Sequence, residues 1–214
     1  MKNASWRISL AAAGLLAAAP GCKQREERAA AAPAPAVTAE SSAAPPSAPA
    51  PAAPAPSDAQ IAAIVVAANQ VDVLAGQLAL EKSKNAQVRE LADRMVTDHT
   101  AVNKAAVELV TRLKVTPEES DLSRALTSGG ADKRSELQRL DGDAFDRAYV
   151  DNEVAYHEAV IGVLKTQLVP AAQHPELKDT LVGVQPAFDA HLQHARMIQA
   201  GLAGAGAAAG EARP

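Results

Sequence analysis

The apolar residues between positions 61 and 202 recur at spacings of four and three, and this pattern constrains the fold more than any other feature of the chain. Such spacing places apolar side chains on one stripe of an α-helix, where they can pack against other helices. The sequence shows neither the two-residue alternation of a β-strand nor a glycine-rich phosphate loop. We therefore predict one all-α domain over residues 57–203, long enough to bury a core of its own.

Four long helices account for the pattern. A capping box at Ser57–Gln60 predicts the start of the first helix, and Asn85 is a candidate N-cap for the second. The stripes of the first two helices contain Ile61, Val65, Ala68, Asp72, Ala75 and Ala79, and then Val88, Ala92, Met95, His99, Val102, Ala106, Leu109 and Leu113. The stripes of the last two contain Val150, Val154, His157, Ile161, Leu164 and Leu168, and then Leu177, Leu181, Val184, Phe188, His191, Ala195, Ile198 and Leu202.

The connections indicate an antiparallel four-helix bundle with an up-down-up-down course. Thr116–Glu119 resembles a helix start with proline at the first position, and Gly129–Gly130 a helix end. This predicts a short extra helix between the second and third long helices. Breaks are predicted at 170–175, and Pro186 is predicted to kink the fourth helix.

Each long helix carries one polar residue on its apolar stripe, namely Asp72, His99, His157 or His191. In an up-down-up-down bundle these residues lie about 18, 22, 24 and 27 Å from the same end, at 1.5 Å per residue. They are therefore predicted to converge in the bundle core. A buried polar group without a partner costs about 2–7 kcal/mol, so the four groups must satisfy each other or hold a ligand.

Two readings of this group stay open. Three imidazoles and a carboxylate suit Zn²⁺, Cu²⁺ or Fe²⁺ rather than Ca²⁺ or Mg²⁺, and Glu153, Tyr149 and Tyr156 are candidates for supporting the ligands. The other reading is a structural network, in which Asp72 orients one histidine and a tyrosine contributes its hydroxyl. Asp98 is interpreted as a solvated charge.

The first 22 residues have the features of a bacterial lipoprotein signal. A positive start precedes an apolar run over residues 8–19, which is shorter than the roughly 20 residues of a membrane-spanning helix. The run ends at Cys22, the only cysteine, and we predict that it is lipidated. The alternative is an ordinary cleaved signal with an incidental cysteine. The resemblance to other lipoproteins implies that an acidic residue after the cysteine retains the protein in the inner membrane, so Lys23 favours the periplasmic face of the outer membrane. Without lipidation the domain would be free in the periplasm.

Residues 23–56 are almost entirely Ala, Pro, Ser and charged residues, which predicts a disordered linker. Residues 204–214 also lack core-forming side chains and are predicted to be a disordered tail. The net charge of −4, with no basic patch, argues against nucleic-acid binding. The expected partners are thus a membrane, through the lipid anchor, and a metal ion. The pattern identifies no protein partner.

Several short motifs resemble an exported bacterial family, the domain of unknown function 4142. They are the stretch Leu91–His99, the stretch Phe145–Tyr149, the later His157, and Pro186 followed by His191–Leu192. The resemblance covers about residues 58–200 and implies export and a ferritin-like four-helix fold. Where members commonly have Glu on the first helix, this chain has Asp72, whose carboxylate reaches less far. The resemblance implies no activity.

A ferritin-like di-iron centre is not expected. Such a centre uses Glu-x-x-His on two helices, whereas Val96, Val154 and Phe188 stand three residues before the three stripe histidines. No nucleophile–base pair is evident, so no catalytic residue is assigned and a metalloenzyme is the weakest hypothesis. The favoured hypothesis is a non-enzymatic envelope domain with a binding or structural role, and the alternative is a periplasmic metal-binding or metal-buffering protein.

Overall fold

The computed structural model describes residues 54–211, with side chains to residue 204, and every regular element in that range is helical. The all-α prediction is confirmed. The helices are α1 (Asp58–Lys82), α2 (Ala86–Arg112), α3 (Asp121–Gln138), α4 (Gly142–Val163), α5 (Val169–Ala171) and α6 (Pro175–Glu211), with a π-helical turn over Leu164–Leu168. The predicted signal, nearly all of the linker and residues 212–214 lie outside the described residues.

Both predicted N-caps are present. The side chain of Ser57 accepts from the backbone N–H of Gln60 (3.2 Å), whose own side chain accepts from the Ser57 N–H (3.1 Å). Oδ1 of Asn85 accepts from the N–H groups of Gln87 (2.9 Å) and Val88 (3.4 Å). These bonds satisfy N–H groups that have no partner within their helix, so α1 and α2 begin where the sequence indicates.

The course of the chain differs from up-down-up-down. The Asp58 carboxylate, at the start of α1, accepts from the N–H groups of Gln173 (2.8 Å) and His174 (3.0 Å) in the α5–α6 connection. At the other end of α1, the Lys82 ammonium lies 2.8 Å from the Asp141 carboxylate in the α3–α4 connection. The α1–α2 and α5–α6 loops therefore lie at opposite ends of the bundle.

The extra helix α3 causes this difference. It is 18 residues long and begins after Ser120, whereas the sequence predicted a short helix starting near Pro117 and ending at Gly129–Gly130. A Cβ atom at Gly130 would lie 2.5 Å from a methyl carbon of Val71, so glycine there lets α3 pack closely on α1. Because α3 continues through the glycines, it crosses the length of the bundle and returns the chain to the other end.

The last two long helices also pass their predicted boundaries. In the π-helical turn the Val169 N–H donates to the carbonyl of Leu164, five residues back, and the helical backbone continues through Pro170 to Ala171. Helix α6 continues through Pro186 and extends to residue 211, past the boundary predicted at residue 203. Alanine, abundant in that stretch, has the highest helix propensity. The kink at Pro186 stays a prediction.

Two apolar clusters fill the core, one towards each end of the bundle. The first, towards the α1–α2 loop, includes the fully buried Leu91, Met95 and Phe145. The second, at the other end, includes Leu109, Leu181 and other aliphatic side chains. Between the clusters lies a layer of buried polar side chains from all four long helices. This polar layer consists of Asn69, Asp72, His99, Glu153, His157 and His191.

Helix α1 is also long and apolar enough to cross a membrane by length and composition. Of its most apolar 18-residue window, however, 56% is buried inside the bundle. Its apolar side chains are accounted for by packing against the other helices.

Candidate metal centre

Three histidines from three helices meet in the polar layer. One ring nitrogen from each of His99, His157 and His191 lies within 4.8 Å of the corresponding nitrogen of the other two. Their ring centroids are 5.2–5.6 Å apart, and each residue is only 2% exposed. The structure thus brings together the histidines that the sequence placed at one level.

The orientation of His99 is fixed by Asn69. Nδ2 of Asn69 donates to the carbonyl of Val65 at 2.7 Å, which turns its Oδ1 towards His99. Oδ1 then accepts from Nδ1 of His99 at 2.6 Å. Since Oδ1 can only accept, Nδ1 carries the proton of the neutral ring and Nε2 presents a lone pair.

The other two rings are held in the same manner. Nδ1 of His157 donates to the backbone carbonyl of Glu153 at 3.0 Å, so its Nε2 has the lone pair. Nε2 of His191 donates to the Asp98 carboxylate at 2.8 Å, so its Nδ1 has the lone pair. Metal-ligating histidines usually have one nitrogen held by such a carbonyl or carboxylate, which fixes the tautomer and the direction of the other.

The three lone-pair nitrogens are buried and have no hydrogen-bond partner among the described residues. Burial lowers the pKa of His99 to about 2 and of His157 to about 4, and it also lowers the pKa of His191. The rings are therefore neutral at neutral pH. Neutral imidazole is the form that binds a metal ion.

Two carboxyl groups complete the cluster. One ligand atom each from Asp72, Glu153 and His157 lies within 4.8 Å of the other two, and Oδ2 of Asp72 is 3.5 Å from Nε2 of His99. Burial raises the pKa of Glu153 to about 8, and burial together with the neighbouring Glu153 raises the pKa of Asp72. Two carboxyl groups so close in an apolar surrounding do not both ionise without a nearby positive charge.

The two tyrosines that were predicted to support the ligands lie near the cluster. The Tyr156 hydroxyl donates to the carbonyl of Ala68 at 3.0 Å, and its ring stands edge-on to His157 at 6.4 Å between centroids. Tyr149 is fully buried, and burial followed by the neighbouring Glu153 raises the pKa of its hydroxyl. Neither hydroxyl bonds to a histidine of the cluster among the described contacts.

Sequence reasoning missed one residue of the site and misinterpreted another. Asn69 was not considered, although it stands three residues before Asp72 on the same face of α1. Asp98 was interpreted as a solvated charge, but it pairs with His191 while its side chain stays 45% exposed. Glu153 was predicted to support the ligands, and its backbone carbonyl accepts from Nδ1 of His157.

The arrangement fits a single transition-metal ion with modest adjustment. With Zn–N bonds of 2.0–2.1 Å, tetrahedral ligand atoms are about 3.4 Å apart. A separation of up to 4.8 Å between the nitrogens requires inward movement of at most about an ångström. Oδ2 of Asp72 lies 3.5 Å from the lone-pair nitrogen of His99, which places this carboxylate to give the fourth ligand. Oε2 of Glu153 lies 3.6 Å from Nδ1 of His157, on the hydrogen-bonded side of that ring.

Comparison with known proteins gives one match. A family model described as "Domain of unknown function (DUF4142)" matches residues 43–198, a span that contains the whole cluster. No curated protein and no solved structure matches the chain.

Proposed function

The chain belongs to the DUF4142 family, and we propose that it is a metal-binding domain held in the bacterial cell envelope. The domain binds one divalent transition-metal ion inside the bundle through His99, His157 and His191, with Asp72 as the fourth ligand. Its role is binding or buffering rather than catalysis.

One observation carries the metal proposal. Three neutral imidazoles direct their lone pairs into one buried space, and each ring is held by a separate acceptor on its other nitrogen. A structural network would use those lone pairs for hydrogen bonds, yet the three nitrogens lack partners within the described part of the chain. A cation in that space satisfies all three nitrogens and lets a neighbouring carboxyl group ionise.

The types of ligand atom limit which metal ions the site can bind. Imidazole nitrogen with one or two carboxylate oxygens suits Zn²⁺, Cu²⁺ or Fe²⁺, and Cu²⁺ heads the general affinity order. The hard ions Ca²⁺ and Mg²⁺ prefer sets made wholly of oxygen. The Asp98 carboxylate that bonds to His191 is half-exposed, so this edge of the cluster lies close to solvent.

The envelope location rests on the sequence alone. The apolar run before Cys22 has the length of an export signal, and Cys22 at its end is suited to lipidation. Lipid anchoring would place the domain on the periplasmic face of the outer membrane, with residues 23–56 as a tether. Fatty-acid labelling that is lost in Cys22→Ser tests this, and equal labelling of the variant would contradict it.

The metal proposal is tested with the full chain, purified without a polyhistidine tag and stripped with a chelator. Titration with Zn²⁺ and Cu²⁺ should give one bound ion per chain by elemental analysis. Binding to the folded state alone should raise the free energy of unfolding by about 2.7 kcal/mol at a metal concentration 100 times Kd.

The chain offers a matched control. His99→Gln and His157→Gln should lose the bound ion, whereas His174→Gln, outside the cluster, should keep it. Thermal unfolding of the stripped variants separates loss of a ligand from loss of the fold. The metal proposal fails if the wild type binds less than a stoichiometric amount, or if all three variants bind equally.

A further inference from the structure

The second apolar cluster encloses a cavity of about 550 Å³. Its lining comes mainly from α1, α2, α4 and α6, and it ends beside the metal-binding cluster at Asn69, Tyr156 and Phe188. Small-molecule sites have volumes of about 300–1,000 Å³, so the cavity is large enough for a ligand rather than a packing defect.

The cavity is elongated along the bundle. Its lining extends from Tyr156 on α4 to Leu168 in the π-helical turn and from Leu177 to Phe188 on α6, which is about 17–18 Å at 1.5 Å per residue. An extended hydrocarbon chain of about that length can lie along this lining.

The few polar side chains of the lining already form hydrogen bonds within the bundle. Its three polar side chains are Asn69, Tyr156 and Thr180. Asn69 is bonded to Val65 and His99, the Tyr156 hydroxyl donates to the Ala68 carbonyl, and the Thr180 hydroxyl donates to the Glu176 carbonyl at 2.8 Å. The remaining lining side chains are Ala, Val, Leu, Ile and one Phe. A charged or polar group inside the cavity would therefore lose its hydration without replacement.

We propose that this cavity binds the hydrocarbon chain of a fatty acid and leaves the carboxylate at the mouth. Three lining residues have exposed side chains, Ala101 and Ala105 on α2 and Ala159 on α4, and they mark where the cavity reaches the surface. The hydrocarbon chain extends from there towards Leu168 and Leu177 at the far end of the cavity. The lining contains none of the proposed metal ligands, so binding of the chain does not require a bound ion.

The test uses the full chain and a fluorescent fatty acid, cis-parinaric acid, whose emission rises in an apolar site. Saturable binding of one molecule per chain is expected. Palmitic acid and hexadecanol should displace the probe with affinities within a few-fold of each other, because no group in the lining pairs with the carboxylate. A requirement for the carboxylate would overturn the placement of the head group.

Two variants fill the cavity at different points. Ala106→Phe places a ring in its interior and Ala159→Phe places one at its mouth, and each should weaken probe binding at least tenfold. Ala155→Phe, one turn away on α4 and exposed but outside the lining, should change it less than twofold. Ala159→Phe keeps the proposal testable if Ala106→Phe does not fold.

Three results would overturn the proposal: no saturable binding to the wild type, binding unchanged by both cavity variants, or equal loss in Ala155→Phe. Removal of metal by a chelator should leave probe binding unchanged. Failure of the cavity proposal is thus distinguishable from failure of the metal proposal, which is read by bound metal alone.

Discussion

Nδ1 of His99 lies 2.6 Å from Oδ1 of Asn69, and this contact decides which nitrogen of His99 is free to bind a ligand. Because the Asn69 amide is itself fixed by the Val65 carbonyl, the ring cannot exchange its tautomer without losing a buried hydrogen bond. Asn69, which is not itself a metal ligand, thereby fixes the tautomer in which His99 can bind the ion.

We expect Asn69→Ala to weaken metal binding about 10- to 100-fold, the usual cost of removing a group that orients a metal ligand. Asn69→Asp should restore much of the affinity, because a carboxylate also accepts from Nδ1. Competition with a chromophoric chelator measures both values. Equal weakening by Ala and Asp would show that Asn69 does not act through its acceptor.

Alanine substitutions at two adjacent glycines of α3 should change the free energy of unfolding in opposite directions. A Cβ at Gly130 would collide with Val71, so Gly130→Ala should lower the free energy of unfolding by about 1–3 kcal/mol. A Cβ at Gly129 meets nothing within 4 Å, so Gly129→Ala should raise it by about 0.5–1 kcal/mol. Urea unfolding of both variants measures these changes. If both variants were stabilised or both destabilised, the close approach of α3 to α1 would be contradicted.

The raised pKa of Glu153 predicts a loss of stability at alkaline pH in the metal-free protein. A carboxyl group whose pKa rises from 4.5 to about 8 on folding contributes stability fully below pH 4.5, and this stability is lost as the pH rises through 8. The total is at most about 5 kcal/mol, at 1.36 kcal/mol per pKa unit. Glu153→Gln should therefore lose less stability than the wild type between pH 6.5 and 9.

The control for that measurement is Glu158→Gln, which makes the same substitution at a half-exposed carboxylate paired with Arg196. It should follow the wild-type profile. A Glu153→Gln profile that also matches the wild type would mean that Glu153 ionises in the folded state without cost.

Acid should destabilise the metal-free protein for the opposite reason. The pKa of His157 falls from 6.5 to about 4 on folding, so its contribution is present above pH 6.5 and is lost as the pH falls towards 4. Between pH 6.5 and 5 this amounts to about 2 kcal/mol. His157→Gln should reduce the acid loss by that amount and His174→Gln should not, as measured by urea unfolding at both pH values.

The convergence of the histidines was predictable although the chain course was not. His157 lies fifteen residues from Gly142 and fourteen from Ala171, the two ends of its helical stretch. At 1.5 Å per residue it is about 23 and 21 Å from those ends, so reversing the direction of α4 hardly moves it along the bundle. The predicted position of His157 along the bundle is therefore correct although the predicted direction of α4 is not.

The chain course was predicted incorrectly because a glycine pair predicts the end of a helix. Only the packing of α3 against α1 shows that the helix continues through the pair. Gly129–Gly130 has the local form of a helix end, while the contact that keeps α3 helical involves Val71, some sixty positions earlier. The pairing of Asp98 with His191 likewise depends on how α2 and α6 face each other. Spacing along one helix, by contrast, pointed directly to the buried faces of α1 and α2.

The polar layer also sets the axial alignment of the two helix pairs. Sliding α6 by one turn, about 5.4 Å, would carry His191 out of the layer and into an apolar cluster, where its imidazole has no partner. Sliding α4 would do the same to Glu153 and His157. The pairs α1–α2 and α4–α6 thus have one favoured axial register. Folding in this register brings the ligands together even when no ion is bound.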